Sequence, residues 1–509
     1  MKIYADIFLY QSTTEENIMS KKIILIFLTL IMVLPLLFSC KDNTEESSQT
    51  EEVNSTGIPD GMTPFGLKEE NFEGREIVFT TIEEGSTTYS DIEIAAEETN
   101  GNHVNDASYA RKQKLLEDYG IDVKVVFAQK GQGNYVETSI QSNACDFDVI
   151  VSSVKALAQW SFKNLLYDLT TVKDLNIKNP WWDQSATRDL SVKNHVYFLS
   201  GDILVSDKET TWITFFNKDM FKKYFPESES LYDTVEKGEW TIDKLYEYSK
   251  VVSEGNKSIA DLNRDNGTFG LISQTYDGIA CMMGFGQKMI AKNDEDNLIL
   301  NIDNDPTKNK FLKLFDVLLD NNNTLVAELA SPGEGYPAIP NNANAVFMDG
   351  RGLFQFCQVN YVHALSNSDI NFQYGVLPLP KFDTNQEHYY SPSTVYWSLF
   401  LGLPVCTKEE DLHFIAYALE AMGYYGQEIL QPAYYEKTIK LQKMHDDESE
   451  RMLDLIFKNR IWDPASVYDV GLYLYTGLIM ANDNNIASKF ESETDRLQAQ
   501  VDELVEELE

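Results

Sequence analysis

Apolar and polar positions along residues 75–81 and 121–127 follow the pattern of strands, and residues 147–151 form a third short apolar run of the same kind. Between the first two, residues 105–119 set Ala107, Ala110, Leu115 and Leu116 on a helix that Gly120 ends. Residues 135–142 form a weaker helical segment. Strand, helix, strand, helix, strand predicts a parallel sheet with crossover helices. Ligands bind such sheets beyond the carboxyl ends of the strands, which points to Thr80, Thr81, Ser152 and Ser153. A hydroxyl at any of these positions serves equally well as a helix cap. Downstream, the apolar run from Thr211 to Met220 ends in Asn217-Lys218-Asp219 ahead of a helix at 221–224. Thr241 is the N-cap of a helix whose apolar face begins at Leu245 and Tyr248. Residues 311–319 read as an apolar-faced helix and 330–344, rich in Pro, Gly, Asn and Ala, as a loop. Residues 345–348 read as a short strand with Arg351 in the turn after it. Helices follow at 409–424 and 449–457. Phe490, Leu497, Val501, Leu504 and Leu508 make an apolar stripe on an acidic terminal helix, better suited to docking on its own domain than to a coiled coil.

One stretch carries no polar face at all. From Met19 the chain runs Ser-Lys-Lys, then an apolar segment from Ile23 to Phe38, then Ser39-Cys40. This basic start, short apolar core and small-residue end is the form of a secretory leader, and Met19 suits its start better than Met1. The segment is shorter than the roughly 20 residues of a spanning helix. Leu37-Phe38-Ser39-Cys40 resembles the lipobox of bacterial lipoproteins, in which the leader is cut before the cysteine and that cysteine carries lipid. Residues 1–39 are therefore expected to be the leader, with Cys40 the lipidated residue. Residues 41–70, rich in Glu, Ser, Thr and Asn, are expected to be a tether unable to order itself.

Charge narrows the partners. The formal net charge is -38, and the bases and acids before Cys40 cancel, so the mature chain carries the whole excess. That excludes a nucleic-acid partner, whose phosphates need Lys and Arg, and a broad grip on anionic lipid. Tyr, Phe and Trp together make 12% of the chain, more than a core alone asks for if a site must also bury flat apolar faces beside polar tips. Cys145, Cys281, Cys357 and Cys406 are far apart, without Cys-x-x-Cys or neighbouring His, so buried free thiols are expected, with no metal site or cofactor. Asp261, Asn263 and Asp265 have part of a calcium-loop spacing, but Asn266 and Ile272 replace its Gly and Glu, leaving an Asx-rich turn. No metalloprotease, nucleophile-elbow or phosphate-loop motif is present, and the six His are scattered.

Several segments, taken in order, resemble the extracellular solute-binding proteins of ABC importers, the sugar-binding type that includes maltose-binding protein. They are Phe147-Asp-Val-Ile, Phe216-Asn-Lys-Asp-Met220, Gly238-Glu-Trp-Thr-Ile-Asp-Lys-Leu245, Asp261 to Gly270, Ala345-Val-Phe-Met-Asp-Gly-Arg351 and Tyr374-Gly-Val-Leu-Pro-Leu-Pro380. The resemblance implies an α/β fold of two lobes, each a mainly parallel sheet flanked by helices, joined by a hinge. Residues 73–210 and 375–425 would form lobe 1, and 211–374 and 426–509 lobe 2, with crossings near 205–216, 370–376 and 425. It implies capture of a carbohydrate between the lobes by a lipid-anchored, extracytoplasmic protein, and delivery to the membrane subunits of an importer. Position in that fold makes Trp212, Trp397, Tyr396, Arg351 and Ser153 expected cleft residues, together with Thr81 and Ser152, and Trp181 or Trp182 an outer platform. The rings and hydroxyls interleaved through residues 389–398 suit a saccharide. The alternative is a surface glycoside hydrolase or lyase, which needs two carboxylates facing across the cleft.

Overall fold

The computed structural model describes residues 58–59, 61–82, 86–128, 132–253, 267–443 and 446–508. The leader, Cys40, most of the 41–70 tether and residues 261–266 of the Asp-rich turn lie outside the described residues. Residues 61–509 make one compact unit. Its order begins earlier than the composition of 41–70 implies, because Phe65 is buried edge-on against Tyr119 and Tyr417.

Nine strands build the two main sheets: β1 (Arg75–Thr81), β2 (Ile121–Phe127), β3 (Val149–Ser153), β4 (Trp212–Asn217), β5 (Phe269–Ser273), β6 (Thr324–Val326), β7 (Gly352–Gln358), β8 (Tyr374–Leu377) and β9 (Leu399–Gly402). The first sheet has the order β9-β3-β1-β2 and the second β8-β4-β7-β5-β6. In the first, β1 pairs with β2 and β3 in parallel, and β9 is antiparallel to β3. In the second, β5 lies parallel to β6 and β7, whereas β4 is antiparallel to both β7 and β8. Each sheet is thus mainly parallel in strand direction with one reversed strand, β9 in the first and β4 in the second. The antiparallel members are the strands met where the chain crosses between sheets. Helices pack on the faces, Trp240, Phe269, Phe311 and Phe347 filling one core and Ile77, Phe79, Val149 and Tyr417 another.

Three expected elements differ. Residues 345–348 are not a strand but the end of a helix, Ala338–Met348, whose buried Ile339, Ala343, Val346 and Phe347 have helical spacing. The strand follows at β7, so Arg351 precedes it. Strand β8 belongs to the second sheet, so the chain returns to the first between residues 378 and 398, later than 370–376. Cys145 and Cys406 are joined in a disulfide, and only Cys281 and Cys357 of the described cysteines are free. The terminal helix Ile486–Glu507 does dock on its own unit through Phe490, Leu497, Val501 and Leu504.

The passages between sheets run side by side. The Thr211 hydroxyl lies 3.0 Å from that of Ser393, and the Thr210 hydroxyl 2.6 Å from that of Ser398. Ser391–Pro392 pairs in parallel with Arg460–Ile461. Arg460, itself buried, is ion-paired with Asp183 at 2.8 Å and with Asp207 on the first passage.

Candidate functional site

Beside these passages lies a cavity of about 570 Å³. Its deepest feature is built by the carboxyl end of β5. Asp277 opens the helix Asp277–Gly284 and is fully buried. Its Oδ2 accepts from the Ser273 hydroxyl at 2.9 Å and the Gln274 N–H at 2.7 Å. Its Oδ1 accepts from the indole N–H of Trp212, the first residue of β4, at 2.9 Å. Burial pushes the Asp277 carboxyl up to about 7 against the pull of these hydrogen bonds. The network fixes the Trp212 ring, which stacks on Tyr276 with centroids 5.4 Å apart and planes at 27°.

Aromatic rings continue up the wall. Tyr396 stands 6.1 Å from Tyr276, with its hydroxyl 3.0 Å from that of Tyr473. Trp397 lies 6.2 Å from Tyr336 at 28°. Tyr336, 75% exposed, precedes the helix Ala338–Met348 on the side of the second sheet, whereas Trp397 precedes β9 of the first. The rest of the lining is rich in hydroxyls and amides, among them Thr87, Thr88, Gln274, Asn341, Gln358 and Asn360. The second carboxylate, Glu209, accepts from His363 Nε2 at 3.0 Å. Among the described residues no group of His, Cys, Asp and Glu is placed to hold a metal ion.

Of the expected site residues, Trp212, Tyr396 and Trp397 line this cavity. The others stand elsewhere. Thr81 is fully buried at the end of β1, and Ser152 is buried in β3. Ser153 caps the helix Val154–Phe162, its Oγ accepting from Ala156 N–H at 3.2 Å. Trp181 and Trp182 are no platform: both rings are buried, and both indole N–H groups donate to Glu420, at 3.0 and 3.2 Å. A tryptophan pair serves here as a core anchor because one buried carboxylate satisfies both donors. Arg351 is taken by the Gly267 carbonyl at 3.4 Å and Asp349 at 3.2 Å. Tyr276, Asp277 and Tyr336 escaped the sequence reading. The first two were within its reach, since the rule that marked the ends of β1 and β3 marks the end of β5 equally.

A model of the bacterial extracellular solute-binding protein family matches residues 100–423, more than half of the chain. The chain belongs to this family. A comparison with curated proteins gave no match. Among solved structures the protein is similar to an ABC substrate-binding protein from Listeria monocytogenes in complex with cycloalternan, at 12% identity and a TM-score of 0.52 over 84% of this chain and 98% of that one. It is also similar to a cyclo/maltodextrin-binding protein complexed with maltotetraose (13%, TM-score 0.54, 85% and 99%). A third is the galacto-N-biose-/lacto-N-biose I-binding protein of an ABC transporter from Bifidobacterium longum, in complex with lacto-N-biose (14%, TM-score 0.54, 85% and 98%). At these identities the likeness shows the fold, which is the two-lobed fold of solute-binding proteins.

Proposed function

We propose that the protein captures an oligosaccharide in the cavity lined by Trp212, Tyr276, Tyr396 and Trp397 and presents it to an ABC importer. The observation that carries this reading is the lining itself: two stacked ring pairs, Trp212 on Tyr276 and Tyr336 on Trp397, in a lining otherwise rich in hydroxyls and amides. Apolar C–H faces of a pyranose pack on flat rings, and its hydroxyls exchange hydrogen bonds with the polar band. A volume of about 570 Å³ falls within the ~300–1,000 Å³ of small-molecule sites. The three structures above come from proteins whose bound ligands are saccharides, which supports the same class. The two carboxylates that a hydrolase would need are both engaged, Asp277 by three donors and Glu209 by His363. The protein is therefore read as binding its ligand without turning it over.

The site draws residues from both sheets, so a ligand that touches both stabilises the closed arrangement and shifts the population towards it. Thermal shift across uncharged oligosaccharides tests the reading. Ligand at a hundred times its dissociation constant should add ~2.7 kcal/mol of stability, and no shift with any saccharide would refute it. Among the described residues no helix is long and apolar enough to cross a membrane. We propose that Cys40 supplies the attachment through lipid, outside the cytoplasmic membrane. Labelling with a radioactive fatty acid in a bacterial host should mark the protein, and Cys40→Ser should abolish the label.

A further inference from the structure

The cavity has a charge character that narrows the oligosaccharide reading on which this inference rests. Among the described residues that line it, none is Lys, Arg or His; the acidic ones are Glu209 and Asp277, the latter fully buried with its carboxyl raised by that burial. Cations adjoining the wall are already engaged. Lys155, which lies over the Tyr396 ring, pairs with Asp469 at 3.0 Å, and Lys208 pairs with Asp202 at 3.3 Å. The remaining donors are neutral amides and hydroxyls.

An acidic ligand entering this space sheds the water around its charge and meets no cation in return. It also comes to rest near the Glu209 carboxylate, which His363 Nε2, itself outside the lining, meets at 3.0 Å, in a medium less screening than water. An uncharged polyol faces neither penalty. Its hydroxyls can donate to acceptor positions left on Glu209, since each carboxylate oxygen takes more than one hydrogen bond. The formal charge of -38 on the chain adds repulsion at longer range, which salt screens.

We propose that the cavity admits uncharged oligosaccharides and rejects those bearing uronate, sulfate or phosphate groups, with Glu209 as the discriminating residue. This is selectivity by repulsion, independent of which sugar the rings and amides prefer.

Calorimetry on the purified full chain at low ionic strength tests it, comparing uncharged gluco-, galacto-, manno- and xylo-trisaccharides with trigalacturonate. The expected result is that an uncharged trisaccharide binds and trigalacturonate binds at least about a hundredfold more weakly. Raising the salt should narrow that gap. Glu209→Gln should narrow it at low salt, and the unmodified protein decides the question should that variant fail to fold. Trigalacturonate bound as tightly as the best uncharged sugar would overturn the inference and leave the oligosaccharide reading standing. Failure of every saccharide, charged or not, would overturn both.

Discussion

Trp212 and Asp277 act as a unit. The carboxylate holds the indole in the plane where Tyr276 stacks on it, so the ring face offered to a ligand is set by a hydrogen bond made behind it. Removing Trp212 would leave a buried oxygen short of its donor and disturb the fold as well as the site. Tyr336 is the better probe because it is 75% exposed and packs on Trp397. Tyr336→Ala should weaken ligand binding about tenfold, the scale of one aromatic contact, with the melting temperature unchanged; equal affinity in calorimetry would remove Tyr336 from the site. Asp277 also governs a pH response, together with Glu93. Glu93 is fully buried, accepts from the Val205 and Ser206 N–H groups, and is raised by burial to about 7. Both carboxyls hold a proton in the fold that the unfolded chain releases near pH 4. Their contribution is therefore present below that pH and is lost as pH rises towards 7. Asp183, lowered chiefly by Arg460 against its burial, works in the opposite sense, losing its contribution only as the solution becomes strongly acid. At about 1.4 kcal/mol per unit, each raised group contributes on the order of 3 kcal/mol. Calorimetric melting should come at higher temperature at pH 5.5 than at pH 8, and Asp277→Asn should shrink the difference.

At the scale of elements, patterning was legible where one face is apolar and one polar. The strands at 75–81 and 121–127 and the helix from 486 follow it, whereas the helix Glu409–Tyr425 is buried on every side from Phe414 to Gly423 and is marked by its apolar run instead. Patterning failed at Ala338–Met348, where Pro340 and three asparagines have the composition of a loop while Ile339, Ala343, Val346 and Phe347 keep helical spacing. Packing of those four residues on the second sheet overrides weak propensity. The disulfide was illegible for a different reason. Cys145 and Cys406 lie 261 residues apart in sequence, and only the pairing of β9 with β3 brings their Cα atoms within 6.4 Å. It ties the late strand to the early part of the same sheet. Replacing both cysteines by serine should cost about 2–5 kcal/mol, the range for a native disulfide. Urea unfolding checks this, and an unchanged midpoint would show that the bond does not form in the native protein.

At the scale of the whole molecule, Arg460 joins segments distant in sequence. It neutralises Asp183 of the first sheet's surroundings and Asp207 of the first passage, from a short strand paired with the returning chain. Arg460→Ala would leave two carboxylates buried without their cation, which costs ~3–5 kcal/mol. The same change sits on the passages about which the two sheets would rotate. Scattering should therefore show the variant's response to ligand altered even where it remains folded. In the unmodified protein, bound oligosaccharide should reduce the radius of gyration, the expected signature of closure.

The sequence by itself determined the acidic charge, the amphipathic elements and, through motifs in order, the two-lobed scaffold. The charge and the elements rest on composition and local periodicity, the scaffold on the resemblance of those motifs to a family; none needs knowledge of neighbours. The tertiary structure alone decided which rings face the cavity. Trp181 and Trp182 stand between Pro180 and Asp183 and Trp212 between Thr211 and Ile213, neighbours that say nothing of where each indole N–H finds its acceptor. Glu420 draws the first two into the core, whereas Asp277 holds the third at the cavity wall. A buried indole needs an acceptor for its N–H, and the position of that acceptor, supplied from 65 to 239 residues away, decides where the ring goes.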